Sequence, residues 1–516
     1  MVQGTASSVG KSLIAAALCR AFTREGLKVL PFKSQNMSNN AVATSEGGEI
    51  GRAQALQATA CGVEPRVDMN PVLLKPETDA RSQVILLGRP YKTLSARDYR
   101  HEKAVLWEAS TAALDRLRSE ADLVVIEGAG SPAEINLRAD EIVNMAIARY
   151  AKSPVVLVGD IDPGGVFAQF VGTLALLEPE ERALVKALVI NKFRGDVSLL
   201  EPGLEDLRRL TGLPLLGVVP WIRGIGLAEE DGAALETKGP SKAGGSPPGT
   251  IDIAVIRFPR ISNFDDLDAL SLEPGVSVRF VSRAEDLGMP HAVVLPGTKA
   301  TLADLDWLRE RGLDVGIQWL ARLGRSVLGV CGGFQMLGQA IDDPDGVEGR
   351  PRREAGLGLL PARTVFSPGK RVASRRGTVA PGCPGTLGSV VGARVEGYEI
   401  HSGESVVSGP PLFRLEPPSA ERGGRNSEGF AEARGSLELD GTWAAGGRVI
   451  GTYLHGLFDL PDFRRAWLAS FGAETGPGRG QALAQAREIA LDKLADAVTR
   501  ALDMDELRRI VGIGDR

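Results

Sequence analysis

Gly4-Thr-Ala-Ser-Ser-Val-Gly10-Lys11-Ser12, running straight into LIAAALCRAFTREG (residues 13–26), is the stretch whose reading sets the fold. A glycine-bracketed loop closes on Gly-Lys-Ser and opens an apolar-faced helix, for which Gly26 supplies a stop. Successive backbone N–H groups and the positive end of that helix then face an anion such as a triphosphate. Lys11 reaches the outer phosphates and the Ser12 hydroxyl can ligate Mg²⁺. Gly4, Thr5, Gly10, Lys11 and Ser12 are therefore the candidate nucleotide-binding residues. Such a loop joins a strand to a helix, which predicts an α/β domain. Only Met1–Gln3 precede it, where a strand usually takes about five or six residues. A few further native residues upstream are expected.

Outward from the loop, short β-branched runs alternate with longer amphipathic stretches, the pattern of parallel sheets with crossover helices. Strands are predicted at 28–32, 123–127, 155–160, 187–191 and 215–219. The run at 123–126 ends in Glu127 followed by Gly-Ala-Gly130. A carboxylate there can complete a Mg²⁺ shell, because a hard cation prefers oxygen ligands. Its alternative is a helix cap. Asn191-Lys-Phe-Arg-Gly-Asp196, also after a strand, is a candidate nucleotide-base loop or a simple turn.

At 516 residues the chain exceeds one core. The stretch 237–250 (TKGPSKAGGSPPGT) has no hydrophobic periodicity and reads as a linker. The predicted organisation is 1–236, a P-loop synthase domain; 237–250, linker; and 251–516, a second doubly wound α/β domain. In the latter, strands are predicted at 251–257, 277–281, 292–296, 326–331 and 448–453. Surface loops are expected at 367–388 and 408–428, and a closing helix at 481–511.

Within the second half, Gly329-Val-Cys331-Gly-Gly333 sits between a strand and a helix. Small residues two positions either side permit a tight elbow that lifts a nucleophile above the sheet, as in GxSxG hydrolases. Cys331 is the predicted nucleophile on an amide carbonyl, with backbone N–H groups on the oxyanion. The chain has four histidines. His455, in Gly451-Thr-Tyr-Leu-His455-Gly, is the predicted base and His401 its rival. Two positions after His455, where class I glutamine amidotransferases often carry a carboxylate, stands Leu457; Asp459 is the substitute considered. Pro296-Gly297-Thr298 is the expected oxyanion loop.

Sixty basic against 65 acidic side chains and no long basic run argue against nucleic acid. No apolar run approaches the roughly 18 residues of a membrane helix. Four cysteines without CxxC pairing argue against zinc sites and disulfides, and point to a reducing cytoplasm.

The phosphate loop has one residue more between its glycines than GxxxxGK[ST], and resembles that of dethiobiotin synthetase and its relatives, which use ATP to activate carboxyl or carbamate groups. Over nearly the whole chain the resemblance narrows. Pro31–Ser38 (PFKSQNMS), Met69–Pro76, Glu127–Asn136, Gly159–Phe167 and Ile261–Asp265 resemble the cobyric acid synthase family, as do Cys331–Gly338 and Tyr398–His401. That resemblance implies a P-loop dethiobiotin-synthetase-like domain joined to a class I glutamine amidotransferase-like domain. It implies amidation of the b, d, e and g carboxylates of adenosylcobyrinic acid a,c-diamide, with ATP, Mg²⁺ and L-glutamine, and Cys331 with His455 as the catalytic pair. Pro163 departs from the family's usual Arg. Lys33, Lys75 and Arg81 are candidate cations for the corrinoid carboxylates, or plain solvated charge. The polar run 34–40 is expected to form a substrate or magnesium loop. A sister a,c-diamide synthase, a lipid II-amidating pair and a nucleotide-switch ATPase are the competing readings. The KSQNMS and SNF stretches weigh against the first two, the Cys331 elbow against the third.

Overall fold

The computed structural model describes residues 1–78, 80–222, 225, 227, 249–418, 437–472 and 482–514. The chain forms two compact units. One comprises Met1–Ser38, Ile50–Ala234 and Arg487–Arg516; the other comprises Asn39–Glu49 and Leu235–Ala486. The contiguous division expected at 236 thus differs in two places. Residues 39–49 join the second unit, and the C-terminal segment joins the first. Of the expected linker, 237–248 lie outside the described residues.

In the first unit, Val2–Gly4, Val155–Asp160, Val185–Phe193 and Leu215–Pro220 lie side by side, all parallel. Val29–Phe32 and Leu123–Ile126 form a further parallel pair, tied to the first set by a bridge between Val2 and Glu127. These strands read as unbroken apolar runs because helices cover both faces. The short segment ahead of the phosphate loop does pair as a strand. An antiparallel ladder of Val72–Pro76, Arg81–Leu86 and Arg89–Ser95 was not foreseen. It leads into the helix Ala96–Glu120, whose start is fixed by a reciprocal Ser95–Asp98 capping box.

The closing helix is two helices, Leu483–Ala501 and Met504–Val511. The break has a cause. Leu502 bridges Gly217, the Asp503 N–H donates to the Leu216 carbonyl at 2.7 Å, and the Asp503 side chain caps Glu506. A Cβ on Gly217 would lie 1.9 Å from the Ala501 carbonyl oxygen, so only glycine permits this approach. Arg20–Asp492 and Arg24–Asp496 line the same seam at 2.8 and 2.7 Å. Pairs this exposed contribute about 0–1 kcal/mol each. The buried Leu491, Leu494 and Val498 carry more, at about 1.5–3 kcal/mol per side chain.

The second unit is built on a sheet ordered Val276–Val281, Ile251–Ile256, Ala292–Leu295, Ser326–Val330, Val449–Thr452, Thr442–Ala444. All neighbours are parallel except the last pair. A second sheet corrects the loop expected at 367–388. Ala362–Val379 is one long strand paired antiparallel with Arg394–Val407. Two of its arginines mislead a hydrophobicity reading because they meet carboxylates. Arg371 reaches Glu399 at 2.9 Å, and Arg375, almost fully buried, reaches Glu438 at 2.7 Å. Phe413–Leu415 likewise forms a strand inside the second expected loop, whose residues 419–428 lie outside the described residues. Among the described residues, no helix is long and apolar enough to cross a membrane.

Candidate active site

The phosphate loop lies where its sequence placed it, between Val2–Gly4 and the helix Lys11–Arg24. Gly10 has φ 93°, and a Cβ there would meet the Asn191 amide at 2.2 Å. Lys11 Nζ folds over the loop and donates to the Ala6 and Gly130 carbonyls at 2.9 and 3.1 Å. Thr5 Oγ1 donates to Gln169 at 2.9 Å.

Glu127 is fully buried at the end of its strand and collects donors. Ser12 Oγ and Lys33 Nζ reach Oε1 at 2.8 and 2.9 Å, and Gln57 Nε2 reaches Oε2 at 2.5 Å. Burial works against its charge, yet Lys33, Gln57 and Ser12 together hold the carboxyl below its usual range. Ser12 and Glu127 thus bring two hard oxygen ligands together, a donor set that fits Mg²⁺. The Asn191 side chain donates to the Val9 carbonyl at 2.8 Å, and Lys192 pairs with Asp160 at 3.2 Å. Beside them opens a pocket lined by Gly10, Leu13, Asn191, Trp221, Leu494 and Val498. The C-terminal helix Leu483–Ala501 forms part of its wall, an unforeseen contribution from the far end of the chain.

Of the three cations considered for a corrinoid, Lys33 is committed to Glu127, Lys75 is buried, and Arg81 is exposed. The polar run 34–40 is not the single substrate or magnesium loop expected, and Asn40 stands apart from the part in the phosphate-site unit. Gln35–Met37 is a strand beside Val72–Pro76 in the first unit, while Asn40 belongs to the second.

The cysteine elbow is a true backbone constraint. Cys331 has φ 52° and ψ −111°, outside the ordinary regions, and its N–H donates to the Thr452 carbonyl at 2.8 Å. A Cβ on Gly333 would sit 1.9 Å from the Leu295 carbonyl oxygen, and one on Gly329 would sit 2.7 Å from Gly333. Gly333→Ala is expected to cost at least about 1–3 kcal/mol and to lower the melting temperature in calorimetry.

His455 Nδ1 lies 2.7 Å from Asp266 Oδ2, while Asp266 Oδ1 accepts from Gly456 N–H at 2.9 Å. Both side chains are essentially inaccessible to solvent. Nε2 makes no regular hydrogen bond and interacts instead with the Cys331 thiol, a contact that is commonly loose before substrate binds. Burial pushes the imidazole towards neutrality. The Asp266 charge and hydrogen bond outweigh it, with a smaller contribution from Cys331, and raise His455 to about 10. The stabilisation from this pairing is fully present below the ordinary histidine value near 6.5 and is lost as pH rises through about 10.

His401 is in a different situation. Its Nδ1 contacts the Gly403 carbonyl at 3.0 Å, its ring stacks on Tyr453, and burial drops it to about 3. The carboxylate on His455 is Asp266, not Asp459, while Leu457 is core. Asp266 lies 189 positions upstream, beside the quoted ISNFD stretch, and only the aspartate pair at its end hinted at a role. The stretch Gly397–Ile400 backs the site. Tyr398 bridges and stacks on His455, and Ile400 offers its carbonyl to the Cys331 thiol at 3.5 Å. A Cβ on Gly297 would lie 3.0 Å from the His455 ring, and Thr298 is fastened to Arg260 and Asp304.

Two family models match the chain: a CobQ/CobB/MinD/ParA nucleotide binding domain over residues 1–235, and a CobB/CobQ-like glutamine amidotransferase domain over residues 252–463. The cobyric acid synthase of Sorangium cellulosum is 52% identical over 100% of this chain and 99% of its own length. The chain belongs to the cobyric acid synthase family. Members from Dehalococcoides mccartyi and Moorella thermoacetica are 48% and 49% identical, over 100% and 99% of this chain and 99% and 97% of their own lengths. A solved glutamine amidotransferase matches 43% of this chain and 99% of its own at 19% identity, with a TM-score of 0.30. Membership accounts for both a nucleotide site and a glutamine site in one cobyric acid synthase family chain.

Changing Asp266 to Asn in this family member keeps the shape and removes the charge that holds the His455 proton. Glutamine hydrolysis is expected to fall about 10- to 100-fold in kcat, with KM little changed. The limb of the pH profile assigned to His455 should move to lower pH. An unchanged profile would remove Asp266 from this role.

Proposed function

We propose that this chain amidates the b, d, e and g carboxylates of adenosylcobyrinic acid a,c-diamide, using one ATP and one glutamine per amide. The observation that carries this reading is the Cys331–His455–Asp266 constellation in a chain that also holds the Ser12–Glu127 phosphate site.

In the glutamine site, the Cys331 thiol gives its proton to His455 Nε2 and the sulfur attacks the side-chain amide carbon of glutamine. Backbone N–H groups near Gly297–Thr298 and Gly332 would meet the oxyanion. His455 gives its proton to the leaving nitrogen, releasing ammonia and an enzyme thioester, which water hydrolyses to glutamate. Asp266 holds the imidazole tautomer and orientation through both steps.

In the phosphate site, Lys11 and the loop N–H groups orient the triphosphate of ATP, and Ser12 with Glu127 would hold Mg²⁺, which supplies charge neutralisation at the phosphates. A substrate carboxylate oxygen displaces ADP at the γ-phosphorus; ammonia then displaces phosphate from the acyl carbon. The nucleotide base would lie in the pocket beside Asn191 and Trp221.

Mass spectrometry of cobyrinic acid a,c-diamide incubated with the protein, MgATP and glutamine tests this directly. Stepwise conversion of four carboxylates to amides is the expected result. An unchanged corrinoid alongside continuing glutamine hydrolysis would transfer the proposal to another acceptor.

A further inference from the structure

The polar run after Lys33 leaves one question open: why residues 39–49, written into the phosphate-site half of the sequence, belong to the glutamine-site unit. The contacts of this segment are specific. Asn40 Oδ1 accepts the Asn263 N–H at 2.8 Å, and Asn263 Oδ1 accepts the Ala41 N–H at 2.9 Å. Both asparagines are buried, and Asn263 adopts a left-handed conformation at φ 50°. Asparagine tolerates that region better than most residues. At its far end the segment is fastened by Glu49, fully buried, to Lys370. Between the two anchors, Thr44 closes a tight turn with Gly48.

Asn263 is not a neutral anchorage. It starts the short helical turn Phe264–Leu267, and its carbonyl accepts the Asp266 N–H at 3.2 Å. Asp266 is the residue that holds His455. One residue before Asn263, the Ser262 N–H donates to the Gly297 carbonyl at 2.8 Å, in the loop facing the oxyanion. The turn that Asn40 grips therefore sets both the histidine and the oxyanion loop. In the other direction along the chain, Lys33 lies seven residues upstream and is hydrogen-bonded to Glu127, the carboxylate beside Ser12.

We infer that Asn40 is a positioning residue for glutamine hydrolysis, and that residues 33–49 make this hydrolysis responsive to occupancy of the phosphate site. This rests on the functional reading above. The physical route is a short covalent connection with a defined grip at each end. A ligand that shifts Lys33 away from Glu127 alters the strand Gln35–Met37, and hence the Asn40 grip on the turn carrying Asp266. Such a link acts only if the ligand favours one of two arrangements of the segment, so it demands a measured coupling and not proximity alone.

The test compares wild type, Asn40→Ala and Asn40→Asp, the last keeping the oxygen that accepts from Asn263. Glutamine hydrolysis is measured alone and with MgATP plus cobyrinic acid a,c-diamide, beside amidation driven by added ammonium. In wild type the added ligands should raise glutaminase kcat, within the roughly 5- to 150-fold span of coupled sites. In Asn40→Ala, ammonium-driven amidation stays within about twofold, which also shows that the protein folds. Its glutaminase kcat falls about 10-fold or more at similar KM, and the stimulation disappears. Asn40→Asp recovers most of both. Equal stimulation in wild type and Asn40→Ala, no stimulation in wild type, or parallel loss of ammonium- and glutamine-driven amidation would each overturn the inference. Failure of the functional reading looks different: Cys331→Ala would still hydrolyse glutamine, or wild type would not amidate the corrinoid.

Discussion

Cys331→Ala is expected to lose glutamine-dependent amidation by more than about 10⁴-fold while ammonium-driven amidation stays near wild type. In the proposed mechanism the sulfur attacks the glutamine amide, and neither the Ile400 carbonyl, an acceptor, nor His455 Nδ1, tied to Asp266, can replace it. The variant should fold, because the left-handed strain at Cys331 belongs to the backbone and persists with alanine. Steady-state assays with glutamine and with ammonium chloride read the two activities separately. Parallel loss of both would contradict a two-site mechanism, and retained glutaminase would remove Cys331 from the nucleophile's role.

Lys11→Ala is expected to give the reverse pattern. Amidation should fall about 10³-fold, some 4 kcal/mol, with glutamine and with ammonium alike. Basal glutamine hydrolysis, measured without nucleotide, should remain. Lys11 presently donates to the Ala6 and Gly130 carbonyls, so its ammonium is pre-positioned over the loop that would cradle the phosphates. Removing it leaves the loop N–H groups and the Ser12–Glu127 pair in place but takes away the mobile positive charge. The measurement is an ATP saturation curve of ammonium-driven amidation. Unchanged kcat and KM for ATP would locate nucleotide use elsewhere in the chain.

The two predictions are complementary because the two motifs are local. A phosphate loop and a cysteine elbow are both written in consecutive residues, since each is a turn whose geometry depends on glycine at fixed offsets. Gly10 and Gly333 show why: a methyl group at either would collide with Asn191 or with the Leu295 carbonyl. The parallel strands were legible for a similar reason. Buried on both faces, they must be apolar throughout, and they announce themselves in any hydrophobicity reading.

What stayed illegible depends on residues distant in the chain. The strand Ala362–Val379 was hidden by its arginines, of which Arg371 and Arg375 meet Glu399 and Glu438. The closing helix broke at Leu502 because Gly217 and Leu216 capture it there. The histidine's carboxylate, expected close to it in sequence, is Asp266, separated from it by 189 positions. Local chemistry, then, was determined by the sequence alone: a phosphate loop, a nucleophile on a tight elbow, and two α/β sheets to carry them. Tertiary structure alone decided which acid holds the histidine, which helix walls the nucleotide pocket, and which segment grips the turn beneath the glutamine site. Turns and sheets are specified by short-range sterics and periodic burial, whereas charge partners and anchoring contacts exist only once distant segments have been brought within hydrogen-bonding reach.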